Sequence, residues 1–345
     1  MPSPRAMMAV VSLPTRPLGP TGAAITTVGL GAWAIGGAGW SLGWAGQDDG
    51  ASIDTIRHAV ARGVNWIDTA AVYGLGHSEE VVGRALRQIP AADRPLLFTK
   101  CGLAWDEANP LVPARRVGDP ERIRRECDAS LRRLGVERID LYQLHFPPQD
   151  GTALEDTWEA LLGLVAAGKV AAIGASNFTV EQLECCERLG GLASLQPAFS
   201  LMRREAAADV IPWCAAHGVG VIIYSPMYSG LLSGRFTAER AAALPAEDWR
   251  SGWREFQPPR LARNLELAGA LEPIARRHGT SPAAVAVAWT TSWPGVTAAI
   301  VGARAPAQVD EWIAAADLEL TEEDLAELRA ALKRTGAGEG PLAPA

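Results

Sequence analysis

Four ionisable residues fall at the ends of short apolar runs, close together in order along the chain. Asp68 closes the run from Asn65, Tyr73 follows in the loop Thr69-Ala-Ala-Val-Tyr-Gly74, Lys100 closes the run from Leu96, and His145 follows the run Asp140 to Leu144. Together these types suit the reduction of a carbonyl. A phenol can hand a proton to a developing alkoxide, although with an ordinary pKa of ~10 it is a reluctant acid. An ammonium beside it stabilises the phenolate, so Lys100 is expected to lower the Tyr73 pKa, while Asp68 offsets the desolvation of that ammonium. His145 can hydrogen-bond and orient the carbonyl oxygen. None of the four can supply a hydride, so the chemistry calls for a redox cofactor. A lysine and a carboxylate at strand ends also suit a structural ion pair, and Lys100 also suits a Schiff-base aldolase. The joint placement of all four groups favours carbonyl chemistry.

Lysine usage sharpens the point. The chain has only three, Lys100, Lys169 and Lys333, and Arg does the generic basic work elsewhere. Only Lys100 lies in an apolar strand pattern. The other histidines, His58, His77, His217 and His278, fall in helices or beside helix ends.

The elements that must position these groups alternate. Short β-branched or apolar runs are expected as strands at Thr27 to Gly31, Asn65 to Asp68, Leu96 to Lys100, Asp140 to Leu144, Val170 to Gly174, Ser194 to Pro197, Gly220 to Tyr224 and Ala298 to Val301. Amphipathic stretches lie between them, among them Ala51 to Arg62, Ser78 to Gln88 and Pro120 to Leu134. This alternation marks a parallel sheet with crossover helices, and eight such units predict an α/β fold, a (β/α)8 TIM barrel. Asp119-Pro120, Thr179 with Gln182, Ser281-Pro282 and Thr321 with Asp324 supply helix starts. An N-terminal β-hairpin is expected around Gly19-Pro20-Thr21-Gly22, a long loop after strand seven from Ser225 to Pro259, and an extra C-terminal helix from Thr321 to Lys333. Residues 15–335 then form one domain, with a disordered leader over 1–14 and a disordered Gly/Pro/Ala-rich tail over 336–345.

In such a barrel the strand C-termini face the active site. Read around that face, the later strand ends resemble a dinucleotide cradle. Ser176, Asn177 and Gln196 can pair with a carboxamide, Tyr224 can stack on a flat heterocycle, and Ser225 to Arg235 can offer backbone N–H groups to phosphates. Gly302-Ala-Arg304 leads into a helix at Pro306, where an anion would meet a helix N-terminus and a guanidinium.

The formal charge is −7 with no Lys/Arg-rich run, which argues against nucleic acid or a membrane surface as partner. No apolar stretch reaches the ~20 residues of a membrane span, and no signal-peptide core is evident, so a cytoplasmic protein is expected. Cys101, Cys127, Cys185, Cys186 and Cys214 contain no C-x-x-C pair and read as buried hydrophobes rather than disulfides or metal ligands. No metal site is expected.

Trp66-Ile-Asp-Thr-Ala-Ala-Val-Tyr-Gly74 with Gly76-His-Ser-Glu79, Leu97-Phe-Thr-Lys100, Asp140-Leu-Tyr-Gln-Leu-His145, Gly174 to Phe178, Gln196, Tyr224-Ser-Pro226 and Ile300-Val-Gly-Ala-Arg304 resemble the motifs of the aldo-keto reductases. The resemblance runs from about Leu18 to Leu332. It implies a catalytic tetrad of Asp68, Tyr73, Lys100 and His145, with Tyr73 as proton donor and hydride from NADPH, NADP being preferred over NAD because of Arg304. It implies cofactor contacts from Ala32, Trp33, Asp68, Ser176, Asn177, Gln196 and Tyr224 near the nicotinamide. Ser225, Pro226, Met227, Ser229, Gly230, Leu231, Ser233 and Arg235 would line the pyrophosphate, and Gly302, Arg304, Gln308 and Glu311 the adenosine 2′-phosphate end. Trp312 stands where many members carry Asn. The implied substrate pocket is Trp33, Tyr73, Trp105 and His145, and its tryptophans with loop carboxylates favour a sugar, polyol or other small aldehyde or alcohol. The same fold serves as an NADP-binding channel β-subunit, which is the alternative function. A monomer or a homo-oligomer is compatible with the sequence.

Overall fold

The computed structural model of the chain describes residues 12–245 and 248–344. Most of the expected leader, residues 1–11, lies outside the described residues. Its end does not behave as a leader: Leu13 is buried in the main core, and the Pro14 carbonyl accepts a hydrogen bond from the Thr27 N–H at 3.1 Å.

Eight parallel strands close into a barrel: Val28–Gly31, Trp66–Asp68, Leu96–Cys101, Ile139–Leu144, Val170–Ser176, Leu192–Gln196, Gly220–Tyr224 and Ala298–Gly302. They follow one another in chain order, and the last pairs back onto the first, Ala299 opposite Val28. Each expected strand is present, Gly220–Tyr224 as expected and the others with ends shifted by one or two residues. The expected hairpin forms as Thr15–Pro17 paired with Ala24–Thr26.

Side chains alternate across each strand, so one set fills the barrel and the other packs against the helices. The interior set includes Trp66, Phe98, Leu141, Ile222 and Ala298, joined by Leu18 and Ile25 of the hairpin, which thus stops the N-terminal end. Trp66 is the bulkiest of these and is fully buried. It fits because the neighbouring strand carries Gly29, where a Cβ would stand 2.1 Å from the indole.

The crossover helices bury their apolar faces in a second, larger cluster. Their starts follow local chemistry. Asp119 accepts from the Arg122 N–H to open Pro120–Leu134, Ser281 caps Pro282–Thr291, and Thr179 and Thr321 form capping boxes. The stretch from Ser225 to Pro259 is a long excursion over the barrel mouth, and its described residues include the short helix Ala238–Ala242 and the 3-10 turns Trp249–Gly252 and Arg254–Phe256. The C-terminal helix Glu322–Thr335 is present as expected.

The tail corrects the sequence reading. Within the described residues, 337–341 are not disordered but lie against the loop after the sixth strand, and Ala345 falls outside the described residues. The buried Arg204 donates to the Pro341 carbonyl at 3.0 Å, and its own N–H to the Glu339 carbonyl at 2.8 Å. The glycines that suggested disorder are what allow this contact. Gly338 and Gly340 take positive φ, and a Cβ on either would come within about 2.5 Å of the Met202 or Arg204 backbone. Among the described residues no helix is long and apolar enough to cross a membrane. The five cysteines are free and buried.

Candidate active site

Asp68 and Lys100 end adjacent strands at the barrel mouth, and both side chains are almost wholly buried. The Lys100 Nζ donates to Asp68 Oδ1, to the Thr69 carbonyl at 2.9 Å and to the Tyr73 hydroxyl at 3.4 Å. All three ammonium protons therefore have acceptors. Burial lowers the Lys100 pKa, and Asp68 works against that shift. The second carboxylate oxygen of Asp68 accepts from Gln196 Nε2 at 2.9 Å and from Gln143 Nε2 at 3.3 Å. Gln143 and Gln196 are themselves joined at 3.1 Å, so the carboxylate is fixed from both sides.

Tyr73 reaches this cluster from a turn locked in place by close backbone contact. A Cβ on Gly74 would stand 2.2 Å from the Gly36 carbonyl, so the segment can press against its neighbour only with glycine there. The following helix is tied down as well. Ser78 donates to the Ala32 carbonyl at 2.8 Å, and buried Glu79 accepts from Thr99 and from Arg133 Nε, each at 2.6 Å. The Gly76-to-Glu79 motif thus clamps the Tyr73 turn to the Lys100 strand. The His145 ring meets Tyr73 edge-on, 5.8 Å between centroids, and stacks on Phe146, whose other neighbour is the Arg116 guanidinium. Desolvation, with Lys100 and Arg116 nearby, holds the His145 pKa well below the ordinary histidine value, so the imidazole is neutral.

The Tyr73 pKa runs opposite to the sequence expectation. Burial, the Asp68 charge and Tyr224 raise it well above the ordinary phenol value, and Lys100 does not reverse this. The phenol is therefore a held acid. The ammonium at 3.4 Å is placed to receive the phenolate charge once the proton has left.

A continuous groove leaves this cluster. It is lined in turn by Asp68, Tyr73, Gln196 and Tyr224, by Ser225, Pro226, Met227, Ser229, Gly230, Ser233 and Arg235, and by Gly302, Arg304, Gln308 and Glu311. Ala32 and Trp33 form the opposite wall. Ser176 and Asn177 stand behind this lining and hold it: Ser176 Oγ donates to the Gln196 carbonyl at 2.9 Å, and the Tyr224 hydroxyl donates to Asn177 Oδ1 at 2.8 Å. Leu231 has its side chain wholly in the core. Trp105 packs with Trp40, Trp33 and Tyr73 in a small cluster at the mouth.

The far end of the groove is cationic. Arg235, Arg240, Arg250 and Arg304 all line it. Arg250 is pinned by Asp248 and lies over the Trp44 ring, while Arg235 pairs with Glu311. Arg304 has no carboxylate within ion-pair distance among the described residues. Its Nε donates to Gln47 and its Nη2 to the Ala45 carbonyl, which ties the segment before the first helix to the last strand. Trp33, Trp44 and Trp249 meet above the groove, Trp33 and Trp249 stacked with centroids 5.5 Å apart. Trp312 is buried and lines the groove without a partner for its indole N–H.

The sequence reading missed Gln143, Arg240 and Arg250. Gln143 had a signal, being a polar side chain two residues before His145 on the inward face of an apolar strand. The two arginines lie in a long loop whose path no local pattern foretells.

A family model described as the aldo/keto reductase family matches residues 27–333, which include every part of this site. The chain belongs to the aldo/keto reductase family. This aldo/keto reductase is 35% identical over 91% of its length to a Bacillus subtilis protein named aldo-keto reductase YhdN, covering 92% of that protein. It is 34% identical over 92% of its length to an Escherichia coli NADH-specific methylglyoxal reductase, covering 99% of it. Its fold superposes on the structure of the glycerol dehydrogenase AKR11B4 from Gluconobacter oxydans with a TM-score of 0.84 at 36% identity, over 97% of this chain and 98% of that one. The protein is thus an oxidoreductase acting on carbonyl or alcohol groups, in a family that uses nicotinamide cofactors.

The groove fits such a group. It is long, has an aromatic side chain and an amide at the tetrad end, and converges four guanidinium groups at the other, which is the polarity of a dinucleotide carrying phosphates.

Proposed function

We propose that the protein is an NADP(H)-dependent reductase of small aldehydes, sugars or polyol-derived carbonyls, with Tyr73 as proton donor. The observation that carries this reading is the placement of the Lys100 ammonium between the Asp68 carboxylate and the Tyr73 hydroxyl, at one end of a groove whose other end is cationic.

When bound, the nicotinamide supplies the hydride. The chain's own residues do the rest. His145, neutral and beside Tyr73, offers a hydrogen bond that orients the carbonyl oxygen without adding a charge. Tyr73 gives its proton to that oxygen as negative charge develops there. Lys100 then stabilises the phenolate, and Asp68 with its two glutamine partners keeps Lys100 from turning away. Trp33 and Trp105 shield the site from water and offer apolar faces to the substrate.

Gln196, Tyr224, Ser225, Pro226, Met227, Ser229, Gly230, Ser233 and Arg235 would hold the cofactor, with Ser176 and Asn177 at its nicotinamide end. Arg304, with Arg240 and Arg250 near it, would meet the 2′-phosphate, which supports NADP over NAD. The relative named as NADH-specific makes this preference the part to test. A Schiff-base role for Lys100 has less support, since its three protons already have partners.

The test is a panel of sugars, polyols and short aldehydes assayed with NADPH and with NADH. The expected result is turnover with at least one aldehyde and about tenfold higher kcat/KM with NADPH, a gap that Arg304→Ala narrows. Equal use of both cofactors, unaltered by the substitution, would remove the NADP assignment. No turnover with any carbonyl would favour the regulatory-subunit alternative.

A further inference from the structure

A second cavity, of about 180 Å³, lies at the barrel mouth behind Tyr228, outside the groove described above. The two share a wall, because Met227 and Ser229 line the groove while Tyr228, between them, lines the cavity. Its other walls come from the loop after the sixth strand, from the turn Arg254–Phe256, from the helix Arg260–Gly269 and from the ordered tail at Gly338 and Glu339.

Four arginines line this space: Arg203, Arg254, Arg260 and Arg263. They are not equivalent. Arg254 and Arg260 both pair with Glu255, whose other oxygen accepts from Asn264 at 3.1 Å. Glu255 is therefore fully engaged. Arg203 and Arg263 have no carboxylate within ion-pair distance among the described residues, although Glu205 and Glu339 stand on the exposed rim of the same cavity. Arg263 goes further: its Nε is buried with no hydrogen-bond partner at all. A desolvated guanidinium N–H without an acceptor is costly, and planar forks of this kind match carboxylate and phosphate oxygens. Arg203 also reaches toward the catalytic side, because its guanidinium stands against the Tyr224 phenol.

We propose that this cavity is a binding site for an oxyanion, phosphate or carboxylate, gripped by Arg203 and Arg263. The anion is either the far end of a carbonyl substrate that reaches round Tyr228 or a separate small anion held beside the cofactor. The first source rests on the reductase reading above, whereas the site itself does not.

The experiment titrates inorganic phosphate and malonate, each at constant ionic strength, into NADPH-saturated protein by calorimetry. Saturation keeps the groove arginines occupied, and NADPH quenching of tryptophan fluorescence in the same samples reports on the cofactor reading separately. At least one anion should bind the wild type, and Arg263→Met and Arg203→Gln should each weaken it about tenfold. Because Arg263 has no partner to lose, Arg263→Met should also leave the thermal midpoint unchanged or raise it. Kinetics with glyceraldehyde and glyceraldehyde 3-phosphate then separate the sources. A preference for the phosphorylated aldehyde that falls in both variants identifies the substrate's own phosphate, and an unaltered ratio identifies a separate anion. Absence of binding by both anions, or binding equal in wild type and variants, would overturn the site.

Discussion

At the residue scale, the central unit is a buried ammonium with three acceptors, one of them the phenol proposed as the proton donor. Three titration shifts, at His145, Tyr73 and Lys100, set its working range. The His145 pKa is depressed, so the ring is neutral above the ordinary histidine range and gains charge only in more acidic solution. The Tyr73 pKa is raised, so the acid keeps its proton well into alkaline solution. Reductive kcat/KM is therefore expected to be level from about pH 6.5 through neutrality, and to fall on the alkaline side where Lys100, whose pKa burial lowers, gives up its charge before Tyr73 loses its proton; an acidic limb that breaks near neutrality would contradict the His145 assignment. Gln143 gives a second prediction. Gln143→Leu removes one brace of Asp68, and it should lower kcat by roughly tenfold while leaving KM for NADPH unchanged. That these four residues come together at the barrel mouth was legible because each closes or follows an apolar run. The direction of the Tyr73 shift was not, because it depends on how deeply the phenol is buried, and no pattern of residue types reports depth.

At the scale of elements, strands and caps were legible where chemistry is local. Asp119-Pro120 and the Thr179 box state their helix starts outright, and the apolar runs state the strands. What escaped was contact between segments far apart in the chain. The tail was misjudged because Gly338 and Gly340 read as freedom when they serve close approach to Met202 and Arg204. The same logic at Gly29 yields a prediction. Gly29→Ala puts a methyl within 2.1 Å of the Trp66 ring inside the barrel. Denaturant unfolding should show a loss of about 1–3 kcal/mol, the usual cost of overpacking, and a neutral result would mean that Trp66 can move aside.

At the scale of the molecule, the barrel holds its chemistry at one end while stability is secured elsewhere. The C-terminal helix is fastened by Asp324, whose side chain is fully buried and takes bonds from Thr321, His278 and Arg277. These partners lower its pKa to about 2. A carboxylate depressed in the folded state contributes stability that is complete above its unfolded pKa and disappears as pH falls through the folded value. Asp324→Asn should accordingly destabilise the protein by roughly 2 kcal/mol at pH 7, measured by urea unfolding. The difference should shrink progressively below the ordinary carboxylate pKa. A constant difference across that range would assign the role of Asp324 to packing instead of charge. The overall architecture was the most legible feature of all, since eight repeats of one strand–helix alternation leave few folds open.

The most direct measurement is single-turnover reduction of an accepted aldehyde by Tyr73→Phe, with NADPH binding followed in the same samples. The account predicts a rate lower by roughly 10²–10⁴-fold, as expected for loss of a positioned general acid, with unaltered cofactor affinity. Turnover close to the wild-type rate would contradict it, since the proton would then come from somewhere other than the phenol beside Lys100.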